Sequence, residues 1–422
     1  MNTVLNWIKQ VVFEEGKLIY NIDIPRRRRA KKNIEKKARK EKIHVGIILQ
    51  DTSAWDTILP VYRKMLEDND FDVKIILVPQ VSFKWYLFLS SIDCEKVYRI
   101  GATLSKDYIK AYDEINKKWV DLKEYDFDYM FYMIPYETYL PKNYRAHRLS
   151  QFTKVCYVPY ANPLIGDYNH IYNSHFVRNV YLAFCETEAG FDYLKRFKRG
   201  IKTGILKPQN CGYPRYDLLT NHEEKESCLW KNKRDDKRLR IIWTPRWTSY
   251  SHLGGSNFLK YKDIFLDYVK ENDDIDFVFR PHPMTFEHHV SVGLLTEEQL
   301  EGYCKQYEVS KNAALDLNRE YFDTFFTSDV LVTDVSSVVW DYLFTGKPVI
   351  LCPSSPISYN IPKELSECVY IAESFEGIQG YINHLRRKID PLKEKRNQLS
   401  KELKRSGDIA GDIVDIIKKD YR

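Results

Sequence analysis

The stretch from Val330 to Leu351 leaves this chain few folds to choose from. A short apolar run (Val330 to Val332) meets a polar corner of Thr333, Asp334, Ser336 and Ser337. Val338, Val339, Trp340, Tyr342, Leu343 and Phe344 then follow at helical spacing, Gly346 ends the helix, and Lys347-Pro348 leads into a second apolar run, Val349 to Leu351. The pattern predicts strand, helix over Ser336–Thr345, strand. Hydroxyl residues at the start of a helix, where unpaired N–H groups and the positive dipole end meet, suit an anion such as phosphate. Asp334 and Ser336 acting only as helix caps is the other reading of the same residues.

The rest of the chain repeats the alternation. Apolar runs at His44–Leu49, Val73–Val78, Val97–Ile100, Tyr129–Ile134, Val155–Val158 and Val180–Cys185 read as strands. Helices are expected over Ile58–Asp68, Ser105–Trp119 and Glu188–Phe197. A second series places strands at Leu239–Trp243, Asp276–Phe279, Val330–Val332 and Val349–Leu351. Its helices are expected over Tyr261–Asn272, Thr296–Tyr307 and Ser336–Thr345, with a helical tail from Glu376 ending in Ile409–Lys418. Strands alternating with helices call for parallel, doubly wound sheets. The expected organisation is α/β: an amphipathic and basic arm over 1–42, a Rossmann-like domain over 43–217, a linker over 218–238 and a second Rossmann-like domain with C-terminal helices over 239–422. In such a pair the ligands are expected in a cleft, at the carboxyl ends of the strands. The chain has no G-x-G-x-x-G and no Walker loop.

Charge is unevenly placed. The net charge is +6, yet residues 26–42 hold eleven Lys/Arg against Glu35 and Glu41, so the rest of the chain is net negative. Before that run, Val4, Leu5, Ile8, Val11, Val12, Leu18 and Ile19 recur at spacings of three and four. An apolar helix face followed by a polybasic segment suits an anionic membrane surface, and no aromatic–basic interleaving suggests stacked nucleic-acid bases. A helix packed on the protein's own core is the competing reading. The eight cysteines are scattered singly, which fits a reduced compartment and neither a zinc site nor a disulfide framework. No run is long and apolar enough to span a bilayer, and the start of the chain lacks the order of a signal peptide.

In the second half every strand ends in polar chemistry. Trp243 is followed by Thr244-Pro-Arg246-Trp-Thr248, and Phe279 by Arg280-Pro-His282-Pro283. Val332 is followed by Thr333-Asp334-Val-Ser336-Ser337. Two arginines, a histidine held between prolines and a hydroxyl-rich corner fit a diphosphate whose charge grows as it leaves.

These motifs resemble the CDP-glycerol glycerophosphotransferase family of teichoic-acid and capsule synthesis. The residues carrying the likeness are R-P-H-P at 280–283, T-D-x-S-S at 333–337, D-Y-L-x-T-G-K-P-V at 341–349 and G-Y-P-R-Y-D at 212–217. The likeness extends over about residues 125–415. It implies a GT-B fold and metal-independent transfer of glycerol phosphate, with no cofactor beyond the CDP-activated donor. It also implies a lipid-linked glycan acceptor and peripheral attachment at the cytoplasmic face of the membrane. By it His282, Ser336 and Ser337 serve the donor phosphates, with Asp334 in the same loop. Together with the strand ends this makes His282 and Asp334 the candidate catalytic residues, Asp334 orienting His282 or a donor hydroxyl, and Arg246, Arg280, Thr333, Ser336 and Ser337 the candidate donor-binding residues. The family carries a base histidine in a W-H-G-type motif after its counterpart of Val155–Val158. This chain has Cys156-Tyr-Val-Pro-Tyr160-Ala-Asn162-Pro163 there, so His170, His175 and Glu137 are the candidate acceptor-side bases. A GT-B glycosyltransferase using a nucleotide sugar and a non-catalytic assembly factor of the same fold are the alternatives.

Overall fold

The computed structural model describes residues 16–50, 54–84, 89–105, 107–162, 168–172, 174–235, 237–359, 361–404 and 407–422. The apolar face over Val4–Val12 lies outside them. The chain forms two compact units, one of residues 1–162, 167–218 and 406–422, the other of residues 163–166 and 219–405.

The first unit is a parallel seven-stranded sheet of β1 (Ile43–Leu49), β2 (Phe71–Leu77), β3 (Tyr108–Lys110), β4 (Tyr129–Tyr132), β5 (Lys154–Tyr157), β6 (Leu182–Cys185) and β7 (Lys207–Asn210). The spatial order is β7-β6-β5-β4-β1-β2-β3. The middle strands are mainly apolar: Val45, Ile47, Leu49, Met130, Val155 and Ala183 are fully enclosed. That is what a sheet covered on both faces requires.

One stretch departs from the sequence pattern. Residues 95–104 form a helix where a strand was expected at Val97–Ile100. Within the expected helix Ser105–Trp119 the chain instead makes β3 and a small antiparallel pair, Tyr112–Asp113 with Lys118–Trp119. Val97 and Tyr98 serve equally well as one buried helix face, while Ile109 buries at the sheet edge. Short apolar runs do not separate the two cases by periodicity.

The basic arm is in part packed on the protein itself. Helix α1 (Gly16–Glu35) includes the arginine run, and Ile24, Arg27 and Ala30 are buried against the first unit. Arg27 donates to the carbonyls of Val180 (2.6 Å) and Ile205 (2.7 Å), just before β6 and β7 begin. Arg26 donates to Asn179 Oδ1 (3.0 Å) and the His147 carbonyl (3.3 Å). Lys37 and Lys40 pair with Asp126 and Asp128, just ahead of β4. These cations satisfy carbonyls and carboxylates along the amino ends of the strands. Arg28, Arg29, Lys32 and Lys36 stay exposed on the helix's other side.

The sequence pattern assigns the terminal helix to the second domain; in the structure Ile409–Tyr421 packs on the first unit. Asp420 explains it. Its carboxylate accepts from Tyr129 Oη (2.8 Å), Tyr181 Oη (2.7 Å) and Lys154 Nζ (2.7 Å), and pairs with Lys207. Burial pushes that carboxyl up, but the two lysines more than offset it and hold it at about 2.

The second unit is a parallel six-stranded sheet of β8 (Leu239–Thr244), β9 (Ile275–Phe279), β10 (Ala313–Leu315), β11 (Val330–Thr333), β12 (Val349–Leu351) and β13 (Tyr370–Ile371). The order is β10-β9-β8-β11-β12-β13. An aromatic cluster of Trp243, Phe258, Phe265, Phe277 and Phe279 fills one face. Val335, Val339, Tyr342 and Leu343 fill the other. The polar segment read as a linker over 218–238 packs on this unit. Trp230 is buried there, donating to Thr327 Oγ1 (2.8 Å) and lying under the Arg240 guanidinium, which pairs with Glu226 (2.5 Å). A polar strap held by ion pairs leaves no apolar period to read. Among the described residues no helix is long and apolar enough to cross a membrane.

Candidate functional site

Strands β9, β8 and β11 are neighbours, so the three polar strand ends of the second unit emerge side by side. Thr244 sits opposite Thr333 in the register of β8 and β11. The structure sorts the candidate residues into those that hold this edge together and those that stand out from it.

Asp334 is 1% exposed. Its Oδ2 accepts from the backbone N–H of Arg246 (2.8 Å) and of Asn257 (3.0 Å), and its Oδ1 from Asn257 Nδ2 (2.7 Å). One carboxylate thus clasps both ends of the loop 246–257. Burial raises its proton affinity, with the three N–H groups acting the other way. These bonds hold the carboxylate inside the loop, and none of them goes to His282. Thr333 is fully buried as well, its hydroxyl donating to the Thr244 carbonyl (2.8 Å).

The two arginines are partly engaged. Arg246 donates to the carbonyls of Val335 (2.7 Å) and Leu253 (2.6 Å). Gly254 lies so close beneath it (φ +103°) that a Cβ would come within 2.9 Å of the guanidinium carbon. Arg280 pairs with the buried Asp316 (2.6 Å), donates to the Asn318 carbonyl (2.8 Å) and lies over the Tyr321 ring. Ser249 is pinned to His288 Nε2 through its N–H (3.0 Å), which braces the loop from the side of the helix Thr285–Ser291.

His282, Ser336 and Ser337 stand out instead. His282 is exposed beside Trp247, and its Nδ1 accepts from the Met284 N–H (3.2 Å). That bond places the proton of the neutral ring on Nε2, which is then a donor. Ser336 and Ser337 are half-buried at the start of the helix Val338–Leu343, which is shorter than the expected Ser336–Thr345. Ser337 makes no side-chain cap bond, and Asp334 bonds elsewhere, so capping does not explain this corner.

The acceptor-side candidates lie in the first unit. His175 Nδ1 comes within 3.8 Å of Glu137 Oε2, and the His175 and His147 rings meet edge-on at 5.5 Å. Glu137 Oε1 accepts from the Ala146 N–H (2.5 Å). The His175 carbonyl accepts from Asn179, which Arg26 also holds, so this group is tied to the arm along the amino ends of the strands. The side chain of His170 lies outside the described ones.

The carboxyl ends of the first sheet hold two residues the sequence reading passed over. Glu186 follows β6, is 6% exposed, and accepts from Tyr172 Oη (2.6 Å). Burial pushes it up to about 7, with the Tyr172 hydroxyl acting the other way. Asn162 follows the neighbouring β5, buried, with Nδ2 donating to Tyr216 Oη (3.3 Å) and Oδ1 without a hydrogen-bond partner. The rule used on the second sheet, polar residues just after each strand, points to both when applied to the first. Among the described residues no group of three or more His, Cys, Asp or Glu side chains could hold a metal ion.

Residues 201–360 match the family described as CDP-Glycerol:Poly(glycerophosphate) glycerophosphotransferase. The teichoic acid poly(glycerol phosphate) polymerase of Staphylococcus epidermidis is 28% identical over 203 residues, covering 46% of this chain. The match covers 24% of that relative, so the chain spans about a quarter of its length. Among solved structures, the wall teichoic acid polymerase TagF superposes with a TM-score of 0.54 at 15% identity, covering 97% of this chain and 98% of that one. A UDP-N-acetylglucosamine 2-epimerase from Listeria monocytogenes gives 0.56 at 13% identity, covering 90% and 97%. Likeness at that identity speaks for the fold alone. The R-P-H-P and T-D-V-S-S strand ends therefore lie in a stretch with the sequence pattern of the CDP-glycerol:poly(glycerophosphate) glycerophosphotransferases, on a GT-B fold.

Proposed function

We propose that the chain transfers glycerol phosphate, or a similar polyol phosphate, from a CDP-activated donor to a hydroxyl of a lipid-linked cell-surface glycan. The observation carrying this reading is the outward set at the edge of the second sheet. His282 offers a fixed Nε2–H, and Ser336 and Ser337 offer hydroxyls that no cap consumes. Neutral donors of this kind suit the oxygens of a diphosphate, and they gain strength as the nucleotide monophosphate leaves. Arg246 and Arg280 add positive charge from within the scaffold, without a metal ion as part of the scheme. Asp334 keeps the loop that carries Arg246 in register.

Attachment to an anionic membrane surface belongs to the same reading, now resting on the exposed Arg28, Arg29 and Lys32 of α1 and Lys36 just after it. A fourfold charge reversal there is expected to lower flotation with phosphatidylglycerol vesicles by about tenfold; unchanged flotation would end the membrane claim. The donor claim is tested by CMP release from CDP-glycerol, CDP-ribitol and UDP-sugars. Turnover of a CDP-polyol is expected. Turnover of a UDP-sugar alone would replace this reading with a glycosyltransferase.

A further inference from the structure

The amino edge of the first sheet holds a cavity of about 260 Å³, and every residue lining it belongs to the first unit. It lies among the end of α1, the starts of β4 to β7 and the last residues of the terminal helix. Cations outnumber carboxylates in its wall: Lys37, Arg39, Lys154, Lys207 and Arg422 are set against Glu35, Asp128 and Asp420. Pairing does not cancel the excess. Asp420 lies between Lys154 and Lys207, one negative charge for two positive ones. Asp128 is answered by Lys40 and Glu35 by Lys31, while Lys37 pairs with Asp126. Arg39 donates to the Arg422 carbonyl and has no carboxylate partner among the described residues.

The result is a positive field, and the Asp420 carboxyl reports it. Burial pushes that group up, yet the lysines hold it at about 2. Donors remain open as well. Lys207 bonds to Asp420 with its side chain 40% exposed, and an ammonium or a guanidinium carries more N–H groups than these contacts use. A smaller cavity adjoins the first, sharing Ile34, Lys154 and Tyr181 in its wall. The Thr153 hydroxyl lines it, 1% exposed and without a hydrogen-bond partner. A buried hydroxyl in that state costs stability unless a bound molecule completes it.

We propose that this cavity binds a phosphate ester of a small polyol, with Arg39 and Lys207 donating to the phosphate oxygens and Thr153 available to a hydroxyl. A guanidinium fork beside an ammonium suits phosphate, and the surplus of positive charge matches its anion. The volume is many times the share of about 30 Å³ that one water takes in the liquid, so a phosphate carrying a glycerol-sized group has room. Such an ester is presented either by the headgroup of an anionic lipid or by a soluble molecule, and the chemistry of recognition is the same. The site is confined to the first unit and does not depend on the donor reading of the second.

The test uses the full chain with two probes: soluble glycerophosphoglycerol by calorimetry, and vesicles of phosphatidylglycerol against phosphatidylcholine by flotation. Binding of the soluble ester would show that the headgroup chemistry suffices, and binding to phosphatidylglycerol vesicles alone would assign the site to the lipid. In either case Arg39→Glu and Lys207→Gln are each expected to weaken binding by about tenfold. Lys207 also holds Asp420, so if Lys207→Gln lowers the thermal midpoint, Arg39→Glu, on an exposed side chain, decides. Lys110→Glu makes the same charge change at the exposed end of β3 and should leave binding within about twofold. Wild-type chain that binds neither probe, or a loss in Lys110→Glu as large as in Arg39→Glu, would overturn the proposal. A chain that binds the ester but releases no CMP from a CDP-polyol would end the transferase reading and leave this site standing.

Discussion

The carboxyl ends of the two sheets solve different problems with the same residue types. In the second unit the charged side chains are largely built into the scaffold: Asp334 clasps a loop, and Arg280 answers Asp316. What projects is neutral, namely an imidazole N–H and two hydroxyls. In the first unit the enclosed carboxylate of Glu186, at the end of β6, accepts from the Tyr172 phenol and has no cation paired with it among the described residues. The second edge presents donors, and in the proposed reading an anion completes it.

The contrast can be broken by substitution. The largest effect is expected at Asp334. Asp334→Ala strips three N–H groups of their acceptor inside a closed loop and should cost about 3–5 kcal/mol, read as a lowered denaturation midpoint. A variant that keeps wild-type stability would show that the clasp is not structural. Glu186→Gln should act the opposite way on stability. Its folded-state proton affinity is raised, so the wild type carries this group's stability in full below about pH 4.5 and loses it as pH rises through about 7. Above pH 7 the glutamine variant should therefore be more stable than the wild type, by at most about 3 kcal/mol. A variant that is less stable at pH 8 would mean that the carboxylate earns its place structurally.

Much of this was legible in the sequence, and the reason differs by region. The second sheet reads well because β8, β9 and β11 are mainly apolar runs, broken only by Arg240 and Asp276 near the strand starts, that stop at polar residues. The location of its site follows from the same pattern. The division of labour within it does not, because Asp334 and His282 look alike on paper and differ only in which N–H groups the fold brings to them. The arm's division into buried and exposed cations was hidden for a related reason. A run of four arginines reads as one charged surface, but a helix turns Arg27 inward and Arg28 and Arg29 outward. Asp420 and Glu226 hold distant segments through ion pairs, which leave no periodic trace.

The central claim is that neutral donors at the edge of the second sheet hold the donor's diphosphate as CMP leaves it, and His282→Ala tests it most directly. Circular dichroism and the thermal midpoint should match the wild type, since the ring is exposed and its bond from the Met284 N–H is local. CMP release from CDP-glycerol should fall by about 10²- to 10³-fold. Release within threefold of wild type would contradict the account.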